Sequence, residues 1–148
     1  MKPKVIMLVE DNPSDIELTR RALQKSHIAN QMIVAEDGQE ALDYLFGGEP
    51  LADTNRNELP ALILLDLKLP KVDGLQVLRR IRANERTSRL PVVILTTSNE
   101  EQDVTQSYDL GANSYIRKPV DFKQFADAIQ YLGLYWLVMN ESAAPKKR

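Results

Sequence analysis

Residues 61–66 constrain the fold of this chain most, because five consecutive apolar residues run directly into a carboxylate. An unbroken apolar run of this length, bounded by Pro60 and by a turn region over 70–74, is typical of a strand buried on both faces. Asp66 would then lie at the carboxyl end of that strand. In an open parallel sheet, ligands bind in the crevice at the carboxyl ends of the strands. At this point Asp66 is either part of such a site or a carboxylate that caps a turn.

Strand-like and helical patterns alternate along the rest of the chain. The five predicted strands cover residues 5–9, 31–35, 61–66, 92–95 and 114–117, and the five predicted helices cover about 13–25, 39–46, 75–83, 100–110 and 121–139. Such alternation predicts a parallel sheet covered by helices on both faces. Right-handed crossovers and a reversal in mid-sheet give an α/β, flavodoxin-like doubly wound (βα)5 fold with strand order 2-1-3-4-5.

Local signals also predict helix ends and faces. Asn12 is a candidate N-cap, with Pro13 at the first helical position. In the third helix Leu75, Leu78 and Ile81 recur at helical spacing and should be buried. The arginines of that helix are predicted to point toward solvent: Arg79, Arg80 and Arg82.

Length and composition limit the domain organisation and the class of protein. The 148 residues suffice for one full core and are too few for two ordinary domains. We predict one domain over 1–140, with an extended loop over 47–60, and a flexible basic tail over 141–148. Nineteen basic and 21 acidic side chains offer no global attraction for nucleic acid. With no cysteine, signal peptide or membrane span recognised, we expect a cytoplasmic protein without nucleic-acid or membrane partners.

Polar side chains follow four of the predicted strands, and parallel strands end at the same edge of a sheet. Glu10 and Asp11 follow the first strand and Asp66 ends the third. Thr96 follows the fourth strand and Lys118 the fifth. Clustered carboxylates repel one another unless a cation neutralises them, and oxygen ligands suit Mg²⁺, or alternatively Mn²⁺. Asp66 could then accept a phosphoryl group, because phosphoryl transfer depends on charge neutralisation and alignment.

With these strand-end residues, the sequence resembles the receiver domain of bacterial two-component response regulators of the stand-alone type. The resemblance covers about residues 4–135 and rests on the segments 9–12, 65–74, 96–98 and 111–119. It implies that Asp66 accepts phosphate from a phosphohistidine of a sensor histidine kinase. It implies a metal site made by Glu10, Asp11, Asp66 and the backbone carbonyl of Lys68. It also implies a cis peptide bond between Lys118 and Pro119.

As catalytic groups, the Lys118 ammonium and the Thr96 hydroxyl can each donate to a phosphoryl oxygen from their strand ends. The resemblance further implies a switch formed by Thr96 and Tyr115. A phosphoryl group adds about −1.5 to −2 charges. Thr96 is expected to move toward it, and Tyr115 to rotate into the space that Thr96 leaves. We expect at most slow self-dephosphorylation, and no enzymatic turnover of external substrates.

The predicted last helix suggests how a signal would leave the domain. Two apolar stripes run along it, one formed by Phe125, Ile129, Leu132 and Trp136 and the other by Tyr131, Leu134, Tyr135 and Val138. One stripe can cover the sheet, and the second is left for another surface. We predict a homodimer through the fifth strand and this helix; the alternative is that the final turns fold back onto the domain. With no output domain recognised, an unknown downstream protein is expected to read the signal.

The loop over 47–60, the segment 69–74 and the aromatic last helix resemble small regulators paired with phytochrome histidine kinases of cyanobacteria and other bacteria. Three other classes agree less well with the sequence. An aspartyl-phosphate phosphohydrolase usually has a second Asp two residues after the nucleophile, where this chain has Lys68. A non-phosphorylated adaptor with the same fold is disfavoured by the intact set of acids, Thr96 and Lys118. A flavodoxin is disfavoured because Glu10 and Asp11 would repel its phosphate.

Overall fold

The computed structural model describes residues 5–25, 30–47, 59–97, 106 and 108–132; five strands and four helices lie within these ranges, and residues 106, 108 and 109 are also helical. The elements are β1 (Val5–Val9), α1 (Pro13–Lys25), β2 (Gln31–Ala35), α2 (Gly38–Phe46), β3 (Leu62–Asp66), α3 (Gly74–Ala83), β4 (Val92–Thr96), β5 (Ser114–Arg117) and α4 (Phe122–Leu132). No helix within these ranges is long and apolar enough to cross a bilayer.

Several predicted features lie outside the described residues. They are most of the loop over 47–60, most of the predicted fourth helix over 100–110, the turns of the last helix beyond residue 132, and the tail over 141–148. The domain bounds and the second apolar stripe therefore stay predictions.

The sheet is parallel throughout, with the strand order β2-β1-β3-β4-β5. This confirms the predicted doubly wound topology. Every residue of β1, β3 and β4 is buried, because helices cover both faces of the central strands. The unbroken apolar runs that predicted these strands are the sequence pattern of that double burial.

Successive side chains of each strand enter two separate cores, because side chains alternate across a strand. In β3, Ile63 and Leu65 enter a core shared with α2 and α3. Leu62 and Leu64 enter a second core, shared with α1 and α4. Phe125 belongs to this second core and is almost fully buried. The sheet is thus held rigidly from both sides, and its strand ends occupy fixed positions.

N-capping side chains lie at the start of each of the first three helices, at the carboxyl edge of the sheet. Asn12 Oδ1 accepts a hydrogen bond from the backbone N–H of Asp15 at 3.0 Å, and α1 begins at Pro13, as predicted. Asp37 and Asp73 cap α2 and α3 in the same way. These caps satisfy N–H groups that a helix cannot pair internally.

Arg82 contradicts the prediction that all three arginines of α3 point toward solvent; Arg79 and Arg80 are exposed as predicted. The Arg82 guanidinium donates at 2.8–3.1 Å to the carbonyl oxygens of Ser88, Leu90 and Gly111 and to Asn113 Oδ1. Burial lowers the pKa of Arg82 from its ordinary value. The acceptors lie six to 31 residues away in sequence, so the helical pattern of α3 could not reveal them. Arg82 thus connects α3 to the segments that precede β4 and β5.

Replacing Arg82 with Met should lower the free energy of unfolding by about 2–4 kcal/mol, because a hydrogen bond to a charged group contributes about 1.5–3 kcal/mol and the carbonyl acceptors would lose their donor. Urea denaturation measures the change. The matched control is Arg79→Met on the exposed side of the same helix, which should change stability by no more than about 0.5 kcal/mol. Equal losses in the two variants would contradict the structural role of Arg82.

Candidate functional site

Backbone pairing at the carboxyl edge of the sheet brings the predicted site residues together. The Glu10 N–H donates to Ala35 O at 2.9 Å, which extends the pairing of β1 with β2. The Lys118 N–H donates to Thr96 O at 2.8 Å, which extends the pairing of β4 with β5. Asp66 is the last residue of β3. Each site residue is therefore fixed by the strand that carries it.

Lys118 lies at the centre of the site. Its Nζ is 2.7 Å from Glu10 Oε1, 2.9 Å from Asp15 Oδ2 and 3.1 Å from Asp66 Oδ2. Only 7% of the Lys118 side chain is exposed, so these carboxylates take the place of water around the ammonium. Burial alone would lower the pKa of Lys118, but hydrogen bonds and charges from the three carboxylates raise it above its ordinary value. Lys118 therefore stays charged.

Glu10, Asp11 and Asp66 form the predicted acidic cluster. One carboxylate oxygen from each lies within 4.8 Å of the others. Glu10 and Asp66 are buried, whereas Asp11 is exposed. Burial raises the pKa of Glu10 to about 7, against the hydrogen bond from Lys118, which lowers it. A bound cation would favour the ionised form. The donor set is all oxygen and opens to solvent at Asp11, which fits Mg²⁺ or Mn²⁺.

The loop after β3 is held against the site by hydrogen bonds to the Asp66 side chain and to the backbone. The Lys68 N–H donates to Asp66 Oδ1 at 3.2 Å, and the Gly74 N–H donates to Leu67 O at 2.9 Å. A Cβ at Gly74 would overlap the backbone carbonyl of Asp66, so glycine is needed for α3 to begin this close to β3. Beside this loop lies an open groove of about 540 Å³, lined by Asp11, Leu67, Lys68, Leu69, Pro70, Asp73 and Leu75. The exposed side of the acidic cluster can be reached through this groove.

Thr96 and Tyr115, the predicted switch pair, lie close together in the sheet. Tyr115 is in register with Ile94 on the neighbouring strand, and Thr96 is two residues after Ile94. The two side chains therefore belong to the same face of the sheet. Thr96 is fully buried and Tyr115 is half-buried. This placement suits the switch, whose movement stays a prediction.

The sequence prediction included most of the groups at this edge, and the predicted cis bond between Lys118 and Pro119 is confirmed. It did not include Asp15, which supplies the third carboxylate to Lys118. The sequence signal that could have identified Asp15 is its position in the chain. Asp15 lies three residues after the N-cap Asn12, in the first turn of a helix that begins at the carboxyl edge.

Comparison with known proteins agrees with this geometry. The response regulator receiver domain family matches residues 6–130. Response regulator Rcp1 of Synechocystis sp. is 41% identical over 91% of this chain and 90% of its own length. The crystal structure of its Mn²⁺-bound form covers 91% of this chain and 95% of that chain, with a TM-score of 0.73.

Two further solved structures carry phytochrome in their names. The bacteriophytochrome response regulator AtBRR is 50% identical, covers 95% of this chain and 100% of that chain, and has a TM-score of 0.82. The phosphorylated cyanobacterial phytochrome response regulator RcpA is 41% identical, covers 92% of this chain and 95% of that chain, and has a TM-score of 0.74. Fold, strand-end residues and relatives agree, and this chain belongs to the response regulator receiver domain family.

Proposed function

We propose that this chain is a response regulator that accepts a phosphoryl group on Asp66 from the phosphohistidine of a sensor histidine kinase. One observation carries the proposal: the buried Asp66 carboxylate is hydrogen-bonded to Lys118 and lies within 4.8 Å of two further carboxylates at the open edge of the sheet. Phosphorylated RcpA supports it, because that relative carries phosphate on the same fold.

In the proposed transfer, an Asp66 carboxylate oxygen forms a bond to phosphorus while the phosphorus–nitrogen bond of the phosphohistidine breaks. The imidazole nitrogen keeps the electron pair of the broken bond. Lys118 Nζ, 3.1 Å from Asp66 Oδ2, is placed to donate to a phosphoryl oxygen. Thr96 ends β4 one residue beyond the register partner of Asp66, and we assign its hydroxyl to a second oxygen.

Glu10, Asp11, Asp66 and the backbone carbonyl of Lys68 would hold Mg²⁺ or Mn²⁺. When bound there, the cation supplies neutralisation of the negative charge on the phosphoryl oxygens. The Mn²⁺-bound form of Rcp1 supports a divalent cation in a relative. The products of the transfer are an acyl phosphate on Asp66 and a free kinase histidine. We propose that the chain is a phosphoacceptor, with at most slow self-dephosphorylation.

We further infer a homodimer through β5 and α4 as the output. β5 is an edge strand of the described sheet, and an exposed edge is a surface on which another chain can pair. A groove of about 300 Å³ runs between β5 and α4. It is lined by Ser114, Tyr115, Ile116, Gln124, Asp127 and Ala128. Rotation of Tyr115 would change the shape of this groove, which joins the switch to the surface.

The proposed kinase is of the phytochrome type, and the proposed location is the cytoplasm. AtBRR and RcpA support the pairing, because both are named as regulators of phytochromes and both match nearly the whole chain. The downstream protein would recognise the changed β5–α4 surface.

Adding Mg²⁺ should stabilise the folded protein, by about 2.7 kcal/mol at 100 times the dissociation constant. Asp11→Asn should remove most of this gain, because Asp11 is the exposed member of the acidic cluster and its replacement leaves the core intact. Thermal unfolding against Mg²⁺ concentration measures both. Glu85→Gln, which changes an exposed acid two residues beyond the end of α3, is the control. An undiminished Mg²⁺ response in Asp11→Asn would contradict the assigned site.

Incubation with acetyl phosphate and Mg²⁺ should add one hydroxylamine-labile phosphoryl group, detected by intact mass. Asp66→Asn should add none, because the amide cannot form an acyl phosphate, whereas Asp43→Asn on α2 should behave like wild type. The kinase assignment is tested with autophosphorylated kinases. Transfer from a phytochrome kinase should be faster than transfer from a histidine kinase of another class. If wild type accepts phosphate from none of these donors, Asp66 is not the acceptor.

Asp127→Arg should weaken the proposed dimer at least about tenfold, equivalent to about 1.4 kcal/mol, because it places a long cation at the β5–α4 groove. Sedimentation velocity over a concentration series, with and without phosphorylation, measures the association. Gln39→Arg introduces the same side chain on the exposed face of α2 and should leave association unchanged. If wild type stays monomeric in both states, the dimer is wrong.

A further inference from the structure

Asp15 contacts the site from a helix, whereas the acceptor and the metal-site acids lie in or directly after strands. Its Oδ2 is 2.9 Å from Lys118 Nζ. Asp15 is not part of the carboxylate group that could jointly hold a metal ion among the described residues, which consists of Glu10, Asp11 and Asp66. The contact with Lys118 is thus separate from the proposed cation site.

The hydrogen bonds of Lys118 show why this contact matters. An ammonium group has three N–H donors, and Lys118 has one carboxylate partner for each, in Glu10, Asp15 and Asp66. The proposed function commits Glu10 to the cation and Asp66 to the phosphoryl group. Asp15 is the remaining partner, with no other role in the transfer.

Two hydrogen bonds hold the backbone of Asp15. Its N–H donates to Asn12 Oδ1 at 3.0 Å, and its carbonyl oxygen accepts from Thr19 Oγ1 at 2.8 Å. Thr19 is almost fully buried, so the first turn of α1 is held at the cap and against the core. Side chains on such anchored elements hold a functional group more precisely than side chains on loops.

We propose that Asp15 is a positioning residue for Lys118. It holds Nζ in place when Glu10 turns to the cation and Asp66 takes the phosphoryl group, so that a Lys118 N–H is directed at a phosphoryl oxygen. The inference rests on the proposed function and extends it to a residue of α1.

The first test is the rate of phosphorylation by acetyl phosphate at saturating Mg²⁺. Asp15→Asn should slow it about tenfold, the effect of about 1.4 kcal/mol in the barrier. Asp15→Glu keeps the carboxylate and should recover part of the rate. Glu17→Gln removes the same charge from an exposed position of the same helix and should stay within about twofold of wild type, as expected for a surface substitution.

The second test is whether Asp15 acts through Lys118. In a Lys118→Met background, Asp15→Asn should cause no further loss of rate, because residues that act through one contact are non-additive. Wild type, the two single variants and the double variant form a double-mutant cycle. In urea denaturation of the metal-free protein, the losses in free energy of unfolding should also be non-additive across this cycle. Mg²⁺ affinity should be unchanged in Asp15→Asn, unlike Asp11→Asn.

The outcomes separate this inference from the proposed function. A wild-type rate in Asp15→Asn, or equal losses with and without Lys118, would overturn the positioning role while Asp66 stands as acceptor. A loss of Mg²⁺ affinity as large as that of Asp11→Asn would make Asp15 a cation ligand and overturn it too. If wild type accepts no phosphate, the proposed function fails and the positioning role fails with it. The metal-free denaturation cycle then reports only whether Asp15 and Lys118 are coupled in the free protein.

Discussion

The Lys118 ammonium among the carboxylates is the interaction on which the carboxyl edge of the sheet depends. Glu10 and Asp66 are almost fully buried, and an isolated buried charge is costly unless it is paired and hydrogen-bonded. Lys118 supplies that pairing to both acids. The same contacts place a positive charge beside the proposed phosphoacceptor. Pairing of the buried acids in the free protein and the proposed phosphoryl transfer therefore both involve Lys118, and removing one member of a buried ionic set leaves the others uncompensated.

The sheet makes this cluster possible because its strands are rigid and end together. β1, β3 and β4 are buried along their whole length, so the polar groups at their ends lie on a base that cannot relax toward solvent. The α1 and α3 helices begin at the same edge, with Asn12 and Asp73 as their N-caps. Gly74 lets α3 begin directly beside Asp66. Electrostatic repulsion is therefore confined to an edge that the apolar cores hold in place.

The proposed connection from this edge to the surface runs along β4 and β5. β5 is fixed where it begins, since Asn113 Oδ1 accepts hydrogen bonds from Val92 N and Arg82 Nη2. It is fixed again where it ends, by the bond from Lys118 N to Thr96 O. A strand held at both ends suits a switch that works by side-chain rotation at Tyr115 more than by movement of the strand.

The sequence by itself determined the order of the strands and helices, their buried faces and the edge at which Glu10, Asp66 and Lys118 meet. Periodicity shows which face of an element is buried, and parallel strands share a direction, so these features follow from local patterns. The predicted metal contact of Lys68 and the predicted switch of Thr96 and Tyr115 came from resemblance to the family. Only the tertiary structure placed Asp15 on Lys118, across 103 residues of chain, and Arg82 on the chain entering β4 and β5. A helical pattern cannot show which distant segment arrives beside a given side chain, because that depends on how the packed elements are arranged in space.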